Sequence, residues 1–282
     1  MKMIDSKSVI ELQKNLLKKS IEMFSIKPTL AVIQIEGDTA SDKYVKNKKK
    51  LGEELGIEVK HILLSNNVAQ YAVCELIDKL NDDKNINGII LQLPIPAHLN
   101  KKLLLDRIDP EKDVDGLGTQ QIGWLGTNDK NALIPCTAKG VMDLINATVN
   151  DITGLDIVIV NCSYLIGIPL QTMLRDKATV TICHELTENL QKKMRAADIV
   201  ITGIGQAKYF DRSYTSNGQI IIDCSMNFDE NGKLCGDYDL DSIKSMSVKI
   251  ASGPGHTGPL TVLSLMYNTV EAFIKQNTIK GA

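Results

Sequence analysis

The sequence predicts an α/β protein of two domains built on parallel strands. Three observations carry that expectation. The chain has 282 residues, the length of about two ordinary domains. Strand-like and helix-like segments alternate along it, the order that lays helices over parallel sheets. Several strand candidates, such as Ile-Val-Ile-Val at 157–160 and Ile-Ile-Ile-Asp at 220–223, are apolar with almost no break, as strands covered on both faces are.

Residues 9–24 carry apolar side chains at helical spacing (Val9, Leu12, Leu16; Ile10, Leu17, Ile21, Phe24) and form the first expected helix. Strands are expected at 30–35, 59–64 and 88–93, with helices at 41–55 and 69–80 between them. A polar, glycine-containing stretch at 116–131 precedes a second series, opened by a helix at 139–147. Its strands are expected at 156–160, 178–183, 198–202 and 219–224, with a helix at 169–175 joining the first two. A closing helix at 260–274 follows the loop Ser-Gly-Pro-Gly-His-Thr-Gly-Pro.

Composition excludes several functions. A formal net charge of -2, from 32 basic and 34 acidic residues, offers no field for nucleic acid or an anionic membrane. With 4% aromatic residues, platforms for stacking bases are not expected. The six cysteines never fall as Cys-x-x-Cys and the four histidines are far apart, so no metal site is expected. Cysteines inside strand-like runs behave as small reduced hydrophobes, which fits a cytoplasmic protein. The N-terminus has no apolar signal core, and no run approaches the length of a membrane span.

Candidate chemistry starts on the helix at 41–55, for which Ser41 is the expected N-cap. Tyr44, Lys48, Leu51, Gly52 and Leu55 share one face, while Lys46, Lys49 and Lys50 read as a solvated basic face. Lys48 therefore projects with the apolar stripe, where an amine is costly unless it is paired or its pKa falls. Snorkelling along the stripe is the bland alternative. Gln92 lies at the carboxyl end of its strand, the end where open α/β sheets bind ligands. Asp113-Val114-Asp115-Gly116 reads by itself as an acidic turn.

Taken in order, TASDKYVKNKKKLGEELGI, GIILQLPIPAHL, IDPEKDVDGL, PCTAKG and GPGHTGPLT closely resemble the bifunctional methylenetetrahydrofolate dehydrogenase/methenyltetrahydrofolate cyclohydrolase family. The resemblance covers nearly the whole chain. It implies an N-terminal α/β catalytic domain completed by the C-terminal helix (residues 1–119 plus 262–282) and a Rossmann-like dinucleotide-binding domain (120–261). By position, Lys48 is implied as the central catalytic residue, with Gln92 tuning it and Tyr44 lining the folate site. Asp115 is implied to bind the pterin, and Pro254 and Gly255 to touch the folate. Thr137, Cys162, Ser163, Gly167, Pro169 and Glu185 are implied on the dinucleotide side. Tetrahydrofolate is the implied substrate, NAD or NADP the cofactor, and a homodimer the implied assembly.

The second domain departs from the family pattern. Where the family usually has Gly-Arg-Ser the chain has Asn161-Cys162-Ser163, and Glu185 stands where a phosphate-binding serine is usual. Asn161 is expected to crowd the pyrophosphate turn. Ala138, Ser225, Gly253 and His256 are further departures. Glu185 follows Gly167 by 18 residues, near the interval of about 20 for an acid that binds the ribose of NAD. NAD is therefore the expected cofactor over NADP. Three alternatives stand beside this reading: a paralogue with cyclohydrolase activity only, a non-catalytic folate- or nucleotide-binding protein, and a shikimate-type dehydrogenase of similar shape.

Overall fold

The computed structural model describes residues 1–278; the last four residues of the expected C-terminal segment lie outside them. The described chain runs β1 (Lys2–Met3), α1 (Ser6–Glu22), β2 (Thr29–Ile35), α2 (Thr39–Leu55), β3 (Glu58–Leu64), α3 (Gln70–Asp82) and β4 (Gly88–Leu91). There follow α4 (Lys101–Arg107), α5 (Thr119–Gly126), α6 (Cys136–Thr148), β5 (Asp156–Val160), α7 (Gly167–Leu174), β6 (Thr179–Cys183), α8 (Leu190–Ala196) and β7 (Ile199–Thr202). The remainder is β8 (Ile220–Asp223), the hairpin strands β9 (Asn227–Phe228) and β10 (Leu234–Cys235), α9 (Leu240–Ile243), β11 (Lys249–Ala251) and α10 (Thr257–Thr278).

One compact unit comprises residues 13–136 and 262 onward. Its parallel sheet has the order β3-β2-β4, and every residue of the central strand β2 is buried. The sheet extends past β4 through a parallel bridge between Ile89 and Asp113, which seats the acidic turn beside the strand. Helix α2 presses close to β3, since a Cβ on Gly52 would lie 2.4 Å from Val59. Within this unit the ring of Phe273 from α10 packs on Phe24, centroids 5.0 Å apart.

The other unit comprises residues 1–12 and 137–261. Its six-stranded sheet is all parallel, in the order β1-β11-β8-β7-β5-β6, beside the small antiparallel hairpin β9–β10. The chain leaves β5 to add β6 on one side and returns to add β7 on the other. That reversal makes a switch point, where a crevice opens outside the carboxyl ends of the strands. The uninterrupted apolar runs expected for such strands are buried here, with Ile157, Ile159, Ile221 and Ile222 at most 1% exposed.

Four expectations need correction. The domain boundary falls at 136/137 rather than 119/120, and residues 1–12 join the second unit, because Lys2 and Met3 pair with Lys249 and Ile250 of β11. Residues 120–136 stay with the first unit, where Gln121 donates to Pro110 O (2.5 Å) and accepts from Leu133 N (2.7 Å). The polar stretch at 116–131 contains α5, which a window rich in glycine and glutamine conceals. Finally, Asp38 caps α2, its Oδ2 accepting from both Ser41 N (2.9 Å) and Ser41 Oγ (2.6 Å). A carboxylate satisfies the free amides of the first turn and complements the helix dipole better than a hydroxyl.

Strand β4 ends at Leu91, two residues short of the expected 93, although Gln92 N still donates to Ile33 O (2.8 Å). Gly167, at the start of α7, is packed hard against backbone: a Cβ there would lie 1.9 Å from the carbonyl oxygen of Asn161. The turn can close against the sheet only with a hydrogen at that position. Gly167→Ala should therefore destabilise this unit by roughly 1–3 kcal/mol, the range for a forced core clash, as measured by chemical denaturation followed by circular dichroism. A loss under about 0.5 kcal/mol, within the range of a surface substitution, would refute the close approach.

Candidate active site

Within the first unit, Lys48 sits midway along α2 with its side chain half-buried. Its Nζ donates to Gln92 Oε1 at 2.7 Å. Gln92 follows β4 and is 9% exposed; its Nε2 donates to Leu93 O at 2.7 Å. That second bond turns the amide so that its oxygen faces the lysine. Burial of the ammonium end pulls the Lys48 pKa below the ordinary lysine range, against the opposing pull of Asp115 and Cys136. The desolvated amine thus gives up its proton more readily than a surface lysine.

Asp115 and Cys136 complete this cluster. The Cys136 thiol is buried and donates to Val114 O at 3.4 Å, and burial followed by the charge of Asp115 pushes its pKa well above the usual thiol value. It is a neutral thiol, not a nucleophilic thiolate. The Pro-Cys-Thr motif is the one trace of Cys136 in the sequence, since a buried cysteine reads first as a small hydrophobe. Tyr44 lies one helical turn before Lys48 and is half-buried, so the expected face of α2 is the observed one. Lys46 and Lys50 are exposed, and Lys49 is partly covered.

The turn that carries Asp115 is wound around its neighbour Asp113, which is 2% exposed. Asp113 accepts from Gly116 N (3.1 Å) and Gly118 N (2.7 Å) and from the Leu117 amide. Lys112, 7% exposed, donates to Leu80 O, Asn81 O and Asp83 O at 2.6–3.0 Å, a cation set on the C-terminal carbonyls of α3. Asn268 of α10 donates to Val114 O and Ile134 O, each at 2.9 Å. The acidic turn is held from every side.

The second unit holds a cavity of about 620 Å³ outside the carboxyl ends of β5, β6 and β7, at the switch point. Cys162, Ser163 and Glu185 line it, and both Cys162 and Glu185 are exposed. Gly167 and Pro169 are buried at the start of α7 and do not line it, and neither does Thr137 at the start of α6. Pro254 and Gly255 are exposed on the loop before α10. Asn161 also lines the cavity, and its side chain occupies the turn after β5. Its Oδ1 accepts from Ser163 N, Ser163 Oγ and Gly167 N (2.7–3.2 Å), and its Nδ2 donates to Gly203 O (2.6 Å). The side chain stitches the turns after β5 and β7 together.

One wall of the cavity was not anticipated. Tyr209, Phe210 and Tyr214 line it, with ring centroids 5.0–6.0 Å apart. Three aromatic rings within six residues, in a chain with only 4% aromatics, were the available signal. His256, a departure from the family pattern, is half-buried with Nδ1 2.7 Å from Ser6 Oγ. Burial, then the charge of Lys7, lowers its pKa.

Comparison with known proteins decides the family. Residues 4–115 match the tetrahydrofolate dehydrogenase/cyclohydrolase catalytic domain, and residues 135–277 match the NAD(P)-binding domain of the same enzymes. The chain belongs to the tetrahydrofolate dehydrogenase/cyclohydrolase family. A relative, the bifunctional protein FolD of Agathobacter rectalis, is 40% identical over 96% of this chain and 98% of its own length. The crystal structure of the bifunctional enzyme FolD from Campylobacter jejuni is 36% identical with a TM-score of 0.93, covering 96% of this chain and 98% of that one. FolD of Trypanosoma brucei, complexed with NADP cofactor and inhibitor, is 29% identical with a TM-score of 0.90, covering 99% and 98%. Among the described residues of this family member, no helix is long and apolar enough to cross a membrane.

Asp113 supplies a test of the turn. Burial raises its carboxyl to about 7, more than the amide bonds pull it down. The native state therefore binds this proton more tightly than the unfolded chain does. The stability linked to it is complete below the unfolded value of 3.8 and falls as pH rises toward 7. Relative to Asp113→Asn, the wild type should lose stability across that window by up to about 1.4 kcal/mol per pH unit, as measured by urea denaturation at stepped pH. A stability difference independent of pH would overturn the assignment.

Proposed function

We propose that this chain oxidises methylenetetrahydrofolate with a nicotinamide dinucleotide and hydrolyses the methenyl product to 10-formyltetrahydrofolate. The family match supports both activities. The observation that carries the mechanism is the desolvated Lys48 amine bonded to Gln92 beside Asp115. Oxidation needs orientation more than acid–base help, because the folate nitrogens stabilise the cation left when hydride departs. The dinucleotide, when bound, supplies the hydride acceptor. Asp115, held on its clamped turn, accepts hydrogen bonds from the pterin amino group and ring N–H, each worth about 1.5–3 kcal/mol when charge-assisted. Tyr44 lines the folate from the same face of α2.

Hydrolysis asks for a proton acceptor. Water adds to the methenyl carbon, the ring C–N bond opens, and one proton is released to solution through Lys48. A neutral amine can take that proton, and burial makes the neutral form accessible. Gln92 keeps the amine aimed. We place the enzyme in the cytoplasm, in one-carbon metabolism, as a homodimer.

Lys48→Met retains most of the stem's packing and removes the amine. It should lower methenyl hydrolysis by at least about 100-fold, the lower bound for general acid–base catalysis. Its melting temperature should not fall, since the substitution removes a desolvated amine. Near-normal hydrolysis in the folded variant, measured by loss of methenyl absorbance, would sink the role assigned to Lys48.

The cavity at the switch point fits a dinucleotide in size and place. Cys162, Ser163 and Glu185 on its lining would hold the adenosine half. The carboxylate of Glu185 suits the free ribose hydroxyls of NAD and repels the extra phosphate of NADP, while Cys162 offers no cation to offset it. NAD should therefore bind more tightly than NADP by roughly five-fold or more, as expected for a repulsion of at least 1 kcal/mol. Calorimetric titration of both decides it. Tighter NADP would transfer phosphate recognition to Lys192 or Lys193, which are exposed on α8, and binding of neither would leave hydrolysis alone.

A further inference from the structure

The loop that follows β7 forms one wall of the cavity through Gly203, Ile204 and Gln206. Its three successive backbone amides are all taken up by two buried side chains. Ile204 N donates to Asp237 Oδ2 (2.8 Å), Gly205 N to Ser225 Oγ (3.1 Å) and Gln206 N to Asp237 Oδ1 (2.9 Å). Gly205 has φ +73°, the left-handed conformation that lets consecutive N–H groups converge on one centre.

That centre is built for the purpose. Asp237 is 0% and Ser225 8% exposed. Ser225 Oγ donates to Asp237 Oδ2 (2.8 Å) while accepting from Gly205, and Asn227 Nδ2 donates to Asp237 Oδ1 (3.0 Å). The neighbouring Asp223 carboxyl accepts from Ser225 N (3.1 Å), Tyr238 N (3.1 Å) and Ser252 Oγ (2.5 Å). The loops after β7, β8 and β11 are thereby joined through two carboxyl groups. A glycine at 225 would supply no hydroxyl, and Gly205 N would lose its partner within the network.

We propose that Asp237 and Ser225 are positioning residues for the dinucleotide. They act through the 204–206 loop and touch no ligand themselves. Wound on a buried carboxyl group, the loop is set in its binding shape before the dinucleotide arrives, so less ordering is required on binding. The serine hydroxyl locks the central amide, which the carboxylate alone does not reach. This rests on reading the switch-point cavity as the dinucleotide site.

The test titrates NAD and NADP into the wild type, Ser225→Gly, Ser225→Ala and Asp237→Asn by calorimetry. Hydrogen exchange at the Gly205 amide and unliganded melting temperature are measured on the same proteins. Both serine variants should bind the preferred dinucleotide about 5–10-fold more weakly, a cost of about one lost hydrogen bond, with faster exchange at Gly205 and a melting temperature within a few degrees of the wild type. The glycine and alanine variants should agree, because the hydroxyl and not backbone freedom carries the effect. Asp237→Asn should weaken binding further; should it fail to fold, the serine pair still decides. Affinities within two-fold of the wild type in folded serine variants overturn the proposal. So does weakening that appears only together with a collapse in melting temperature. A wild type that binds neither dinucleotide overturns the reading of the cavity, and the clamp with it.

Discussion

A charged or polar group taken out of water must be hydrogen-bonded, or it shifts toward its neutral form. This chain meets that constraint repeatedly in both of its units. Lys48 is desolvated and keeps one strong acceptor, Gln92, which leaves its amine neutralisable. Lys112 is buried but set against three carbonyls. The two lysines lie in the same unit and differ in what surrounds the ammonium. The cation caged by carbonyls anchors the acidic turn. The cation with a single amide partner is the one to which the proposed chemistry is assigned.

The carboxylates follow the same logic in each unit. Asp113 gathers the amides of Gly116, Leu117 and Gly118 and presents Asp115. Asp237, with Ser225, gathers the amides of Ile204, Gly205 and Gln206 and presents the wall of the dinucleotide cavity. In both places a loop is shaped by a buried carboxyl group beneath it. Such a loop has few alternative conformations, because each would strand buried polar groups without partners. Rigid positioning of Asp115 suits a reaction that depends on orientation of the folate.

The departures from the family pattern fall on the dinucleotide side. Asn161 and Ser225, which stand where glycine is usual, are both absorbed into hydrogen-bond networks that join neighbouring loops. Cys162 and Glu185 instead remain exposed on the cavity lining. Substitutions of the first kind change how the wall is held. Those of the second kind change what charge a bound dinucleotide meets.

Sequence alone determined the α/β class, the strands and longer helices, and the face of α2 on which Lys48 travels. Each of these leaves a local, periodic trace, since burial of one face recurs every two or 3.6 residues. It also placed Gln92 at the end of its strand, because an apolar run stops there. The domain boundary, the neutral thiol of Cys136 beside Asp115, the aromatic wall and the two carboxylate clamps were decided by tertiary structure only. Their partners lie far apart along the chain: Met3 with Ile250, Ser6 with His256, Gly205 with Ser225 and Asp237. A buried aspartate that collects backbone amides has no period of its own and reads in the sequence as one more polar loop residue. Its burial, and hence its pKa and its hold on the loop, exists only once the sheets have brought those loops together.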